Sequence, residues 1–428
     1  MLYKLSLAIC LLAVAARAAD PAIAGILERL AKLEEENARL REQVQALRTR
    51  IEPPSAEPIE ERLSVQERRI EEQGQSKVES SERVPVRLTG MLLFNAYSAG
   101  RNSQPEDFPT LAANRQIPTQ TRGTMRQTSI GLEVESPVDV FGAHATGSVM
   151  TDFYGDSEQY VVPRIRTASL DLQWASRGLR FGIEKPIVAP RNPQSLGQVV
   201  YPQLWGAGNL WLWEPQVRIE QAISSGPNEL RVQAGLFQTN ENRVFPTGEL
   251  PSRPGWQTRW QFARSIGEDH RVEFAPGFHY SRTLVAGTSA PSQLVTADWL
   301  VAVSRWWELS GAFFHGRNAA PLGGLRQGVV IAGPGQARAV GTTGGWGQIL
   351  LRPTQRMRVH LMAGEQDDRN RHLSQGQIGR NLSWVVNTMW QLSPNVVAGV
   401  EAQQIRTTYL GLGTRVLNRY DLALAYLF

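Results

Sequence analysis

The sequence predicts an all-β transmembrane barrel of about sixteen antiparallel strands, preceded by an α-helical coiled coil. Three observations carry this reading. Residues 1–18 have the make-up of a cleaved export signal; from Ile23 to Ile51 apolar residues recur in steps of three and four; from Val86 to Phe428 they recur at every second position. The chain has 428 residues, 42% of them apolar, which is too many for a disordered chain. After the N-terminus no run reaches the 18 or so apolar residues that a spanning helix needs. Strands must therefore do any crossing of a membrane.

The export signal consists of Lys4, the apolar or small residues Leu5 to Ala16, and Ala16-Arg17-Ala18, which fits the small-x-small cleavage pattern with maturation at Ala19. Cys10 lies inside it and leaves with it. The mature chain is then free of cysteine, which excludes disulfides, thiolate nucleophiles, Cys-ligated zinc and iron–sulfur clusters together.

Residues 19–52 are expected to form a periplasmic coiled coil. Ile26, Leu33, Leu40 and Leu47 fall at d, and Ile23, Leu30, Asn37, Val44 and Ile51 at a, giving four successive heptads flanked by Glu- and Arg-rich sequence. Asn37 at a with Leu prevailing at d leans towards two strands. Pro53-Pro54 and Pro58 end the helix, and residues 53–85 form a polar linker with a weak heptad continuation.

The barrel, residues 86–428, shows its period best at the chain end. Tyr420, Leu422, Leu424, Tyr426 and Phe428 occupy one face, and Arg419, Asp421, Ala423 and Ala425 the other. One face suits lipid and the other a wet interior. A terminal Phe428 with Tyr426 two residues before it resembles the C-terminal insertion signal of outer-membrane barrels, which implies the barrel-assembly machinery and the lipid bilayer as partners. Sixteen such segments are expected, with cores near 86–97, 125–135, 143–153, 165–174, 179–184, 215–223, 229–237, 256–263, 271–281, 293–303, 308–317, 341–351, 357–364, 380–391, 396–403 and 416–428. The link after each even strand is short and the link after each odd strand is longer, which is the pattern of periplasmic turns and external loops. An even count puts both chain ends in the periplasm.

Sixteen strands leave an aqueous lumen. The longest link, Lys185 to Glu214, is stiffened by Pro186, Pro190, Pro193 and Pro202 and is expected to fold inward as a constriction, with Lys185, Arg191 and Glu214 as charged members. Strand parity turns Arg87, Arg166, Arg180, Arg218, Arg231, Arg259, Arg271 and Arg358 into the lumen, together with Glu133, Asp152, Asp171, Glu184, Glu220, Glu273 and Asp298. Residues 1–85 carry 13 basic and 15 acidic groups and residues 86–428 carry 32 and 25, with Lys185 the single lysine among the latter. This excess of arginine favours anions in a confined pore. No basic cluster points to nucleic acid. The six histidines show no metal-ligand spacing, no loop cradles a phosphate, and no nucleophile and base stand together, so neither an enzyme nor a cofactor is expected.

This layout resembles the DcaP-like trimeric porins of Gram-negative bacteria. Ser129-Ile130-Gly131-Leu132-Glu133-Val134-Glu135-Ser136-Pro137 and Thr151-Asp152-Phe153-Tyr154-Gly155-Asp156 resemble that family's second and third strands. The resemblance implies passive diffusion of small solutes, commonly dicarboxylates and other anions, through three parallel barrels in the outer membrane. Asn37 leans to a dimer and the large barrel wall to a trimer; three copies are expected. A structural alternative is a tether from outer membrane to peptidoglycan, with the barrel as its anchor.

Overall fold

The structure, a computed structural model, describes residues 32, 35–43 and 85–428, except 105–106, 156–160, 240–247, 250–252, 268–269, 286 and 334. The chain separates into two compact units, Met1–Glu79 and Ser80–Phe428. In the first, residues 35–43 are helical and exposed, among them Asn37 and Leu40. The other coiled-coil positions, Ile26, Leu30, Leu33, Val44 and Leu47, lie outside the described residues, as do the export signal and the linker up to residue 84.

In the second unit sixteen strands pair in chain order. They are β1 (Val86–Ala99), β2 (Gln120–Thr124 and Ser129–Glu135), β3 (His144–Asp152), β4 (Arg164–Gln173), β5 (Arg177–Glu184), β6 (Glu214–Ser225), β7 (Asn228–Phe237) and β8 (Gly255–Ile266), followed by β9 (His270–Val285), β10 (Thr288–Ala302), β11 (Trp307–Arg317), β12 (Gly341–Thr354), β13 (Met357–Asp368), β14 (Ile378–Ser393), β15 (Val396–Tyr409) and β16 (Gly413–Leu427). Every neighbouring pair is antiparallel, and β1 also pairs with β16 from Met91↔Leu427 to Ala99↔Arg419. That ladder closes the sheet, and Phe428 extends it by exchanging backbone hydrogen bonds of 2.9 and 3.2 Å with Gly90. Closure leaves no edge of unpaired N–H and C=O groups, which lipid could not satisfy.

The two faces follow the residue alternation. Along β16 Leu417, Arg419, Asp421, Ala423 and Ala425 are buried inside, and Tyr420, Leu422, Leu424 and Tyr426 are exposed outside. β1 matches it, with Leu92 and Phe94 outward and Leu93, Asn95 and Tyr97 inward. In β2 residues Met125–Thr128 step out of the ladder, so the Thr128 hydroxyl turns back to accept from the Leu93 N–H at 3.1 Å and Gln127 reaches into the interior. Trp256, Trp260, Trp306, Trp307 and Trp384 lie exposed on the barrel, whereas Trp211, Trp213 and Trp346 are buried inside it.

Seven links at one end are short: 136–143, 174–176, 226–227, 267–269, 303–306, 355–356 and 394–395. At the other end 100–119, 153–163, 185–213, 238–254, 318–340 and 369–377 are longer. Two links expected to be long are tight turns instead: β9 and β10 pair as far as Val285↔Thr288, and β15 and β16 as far as Tyr409↔Gly413. The strands run on because ladder pairing does not depend on one face being apolar, and the β9–β10 tip also buries Val285 and Ala290 against Ala320 and Val329 of the 318–340 link. Gly411 and Gly413, at φ 75° and 78°, supply the left-handed residues that the second turn requires. Glu214, read from the sequence as the last residue of the long loop, opens β6.

A charge on the outer face should be costly in proportion to its depth. Leu422→Arg is expected to lower stability by about 2–4 kcal/mol and Asn418→Arg, near the strand's outer end, by no more than about 1 kcal/mol, measured by denaturant unfolding from lipid vesicles.

Candidate functional site

The inner wall is lined with charge, and its charged residues fall into distinct groups. On β4–β9 Arg180 pairs with Asp171 and stands 3.9 Å from Glu184. Arg231 reaches Glu220 at 3.4 Å and Glu229 at 3.2 Å, and Arg271 reaches Glu229 at 3.6 Å and Glu273 at 2.5 Å. Arg218 differs: its guanidinium donates to the Gln216 side chain and the Lys185 carbonyl, both at 2.9 Å. Arg166 likewise donates to a carbonyl, that of Val199, at 2.8 Å, and lies over the Trp213 ring at 4.9 Å. Nearer the long-loop end Asp152, fully buried, accepts two bonds from Arg164, at 2.7 and 3.1 Å. At the short-turn rim Arg87 pairs with Glu133 in an exposed position, and Arg358 is exposed on the inward-facing row of β13.

The link 185–213 enters the barrel and follows the wall in strand order. The Ile187 N–H meets Gln257 of β8 at 2.7 Å, and Arg191 binds Asp298 of β10 at 2.8 Å and Glu273 of β9. The Gln194 N–H meets Gln348 of β12 at 2.7 Å, its side chain contacts His360 of β13 at 3.1 Å, and its carbonyl accepts from Asn387 of β14 at 2.9 Å. Ser195 donates to Glu401 of β15 at 2.6 Å, the Leu196 carbonyl accepts from Asn95 of β1 at 2.7 Å, and the Gly197 carbonyl from Gln127 of β2 at 2.8 Å. The loop then doubles back, with Gln203 on Glu401, Gly206 on Asn381, and Trp211 on Leu322 of the 318–340 link at 3.0 Å. A buried loop backbone needs such partners, and each hydrogen bond contributes about 1 kcal/mol net.

Packing allows this close approach. Glycines stand at wall positions facing the loop: a Cβ on Gly235 would lie 2.7 Å from the Ile187 side chain. Within the loop Gly208, at φ 97°, lies so near the wall that a Cβ would come within 2.1 Å of the Gly345 carbonyl. Val188, Ala189 and Leu210 bury their side chains against Leu294, Phe314 and Leu322.

Of the three residues expected on the constriction, Arg191 sits mid-loop in a charged cluster, and Lys185 and Glu214 flank the loop where it joins the wall. Asp298 binds both Arg191 and Arg259, and Glu273 binds both Arg191 and Arg271. The sequence reading missed the loop's anchor on β14–β15, formed by Asn387, Glu401 and Gln403. Its signal was the polar row Glu401, Gln403 alternating with Val400, Ala402 and Gln404. Arg419 and Asp421, read as inward-facing, bond to one another at 2.6 Å beneath the loop. No group of three or more His, Cys, Asp or Glu side chains that could hold a metal ion occurs among the described residues.

No family model and no curated protein matches the chain. Solved structures do match. The outer membrane channel DcaP of Acinetobacter baumannii superposes with a TM-score of 0.68 at 15% identity, over 81% of this chain and 97% of that one. An anion-selective porin from Comamonas acidovorans gives 0.56 at 11% identity, over 81% and 100%. OprB of Pseudomonas putida gives 0.52 at 9% identity, over 83% and 97%. The resemblance to DcaP read from the sequence layout thus has its counterpart in the fold, a sixteen-stranded closed barrel of the porin type.

The Arg191–Asp298–Arg259 cluster should be the most sensitive point of this wall. Asp298→Asn leaves buried Arg259 without its counter-charge and should cost about 3–5 kcal/mol on denaturant unfolding. The same change should expose Arg191 to limited trypsin digestion.

Proposed function

We propose that the protein is an outer-membrane porin through which small hydrophilic solutes diffuse passively, with a weak preference for anions such as dicarboxylates. The observation that carries this reading is a closed barrel, apolar outside and charged inside, whose longest loop follows the inner wall instead of leaving it. The loop 185–213 acts as the constriction, and the inward rows of β2–β9 and β13 line the path. Solutes are selected where the loop narrows the lumen, because there charge acts across a short distance with little water between.

The anion preference rests on an imbalance. Most inner carboxylates pair directly with an arginine, while Arg166 and Arg218 donate to carbonyl and amide oxygens and make no direct ion pair among the described residues. That a porin named as anion-selective shares the fold agrees with this reading. The N-terminal heptads would hold three copies together in the periplasm after removal of the export signal, with the barrel wall as the larger assembly surface. Phe428 and Tyr426 would serve the barrel-assembly machinery. No catalysis is proposed.

Three measurements test the reading. The full-length protein in planar bilayers should give open, ion-permeable steps; silence favours a tether to peptidoglycan. The reversal potential in a salt gradient should indicate anion preference, and Arg166→Gln with Arg218→Gln should shift it towards cations. Deletion of residues 187–211 should raise the conductance of each step, and an unchanged conductance would remove the constriction from the proposal.

A further inference from the structure

At the long-loop end a cavity of about 330 Å3 opens between the links 153–163, 185–213 and 318–340. Tyr201, Trp205 and Trp211 supply its planar walls and Arg164 and Arg326 its charge, and among the described residues no carboxylate side chain lines it. The rings form a continuous array. Tyr201 stacks on Phe108 at 3.8 Å and on Trp205 at 5.3 Å, and Trp211 meets the edges of Tyr201 at 5.2 Å and Trp205 at 5.0 Å. Trp211 belongs to a buried cluster with Leu212 and Trp213, and Tyr201 and Trp205 pack on that cluster half-buried while still lining the cavity, a concave apolar surface of the kind that holds a ligand.

The charge around the cavity is uneven. Arg164 is neutralised by Asp152, and Arg126 has Asp107 at 3.6 Å, whose carboxylate also accepts from the phenols of Tyr97 and Tyr154. Arg326 is exposed, 5.7 Å from the centre of the Trp205 ring, with no carboxylate partner among the described residues. The indole Nε1 of Trp211 is buried without an acceptor among the described residues. The Tyr201 phenol accepts from Arg164 at 3.0 Å and keeps its own proton to donate. Among the described residues the cavity therefore offers flat apolar surface, the Tyr201 hydroxyl as a donor and one cation, Arg326, without a carboxylate partner.

We propose that this cavity is a binding site for organic monoanions with a planar apolar body, aromatic monocarboxylates being the class, with the carboxylate at Arg326 and the ring against Tyr201, Trp205 and Trp211. A second carboxylate on the same molecule would find no second free cation among the described residues, because Arg164 is committed to Asp152 and the remaining wall is Tyr154, Leu212, Ala320 and three glycines. A neutral aromatic molecule forgoes Arg326, and an aliphatic anion forgoes the rings. The volume lies at the lower end of the roughly 300–1,000 Å3 usual for small-molecule sites. The site captures such anions before they reach the constriction, and in this it rests on the porin reading.

The test is current interruption in planar bilayers. Benzoate is added on the long-loop side of the full-length protein, with succinate and benzamide as comparators at the same concentration. Benzoate should interrupt the current at lower concentration than either. Arg326→Gln, on an exposed side chain that folding does not need, should weaken the benzoate effect about fivefold, and Trp205→Leu about tenfold. Succinate or benzamide matching benzoate, or Arg326→Gln leaving the effect unchanged, overturns the proposal. Tryptophan fluorescence separates the two readings. A silent barrel whose fluorescence still responds to benzoate, with the response weakened by Arg326→Gln, overturns the porin reading and upholds the site. A conducting barrel with neither interruption nor fluorescence response overturns the site and leaves the porin.

Discussion

A strand in lipid has nowhere to place its backbone N–H and C=O groups except on the next strand. From this constraint follows the ladder between Met91–Ala99 of β1 and Arg419–Leu427 of β16, without which the sheet would keep two unpaired edges. Closure in turn gives each strand one face towards lipid and one towards the lumen, so the period-2 alternation becomes a division between the apolar row Tyr420, Leu422, Leu424, Tyr426 and the inward row Arg419, Asp421, Ala423, Ala425.

The same requirement reappears inside the barrel, with side chains in place of a partner strand. The loop 185–213 carries its backbone into the lumen, and Asn95, Gln127, Gln257, Gln348 and Asn387 of the wall bond to it. Amides suit this task because each offers both donor and acceptor. Glycines on both surfaces let the backbones approach. The wall and the loop thus specify each other, and the lumen is narrowed by a structure as well bonded as the wall.

Charge is then distributed by neighbourhood. Where loop and wall exclude water, Asp298 and Asp152 are met by arginine and Glu401 by the side chains of Ser195, Gln203 and Asn387, since a buried charge without partners would cost several kcal/mol. The guanidinium fork lets Arg191 serve two carboxylates and Arg259 grip one with two bonds, which a lysine could not do in the same geometry. Arg166 and Arg218 on the wall and Arg326 at the mouth make no direct ion pair among the described residues.

The sequence by itself determined the barrel. Alternation set the strand count and told inward residues from outward ones, because lipid and water enforce opposite chemistry on successive side chains. The charged inner rows were legible for the same reason. Two external links were misread because the alternation of apolar and polar residues that marks a strand fades towards their tips, although β9–β10 and β15–β16 continue to pair. The heptads at 23–51 and the export signal, also read from periodicity and composition, lie outside the described residues of the structure. Which carboxylate meets which arginine, the circuit of the 185–213 loop, its anchor at Asn387 and Glu401, and the aromatic mouth around Tyr201 came only with the tertiary structure. They join residues up to about two hundred positions apart, such as Ser195 and Glu401, and no local period records a contact made across a closed barrel.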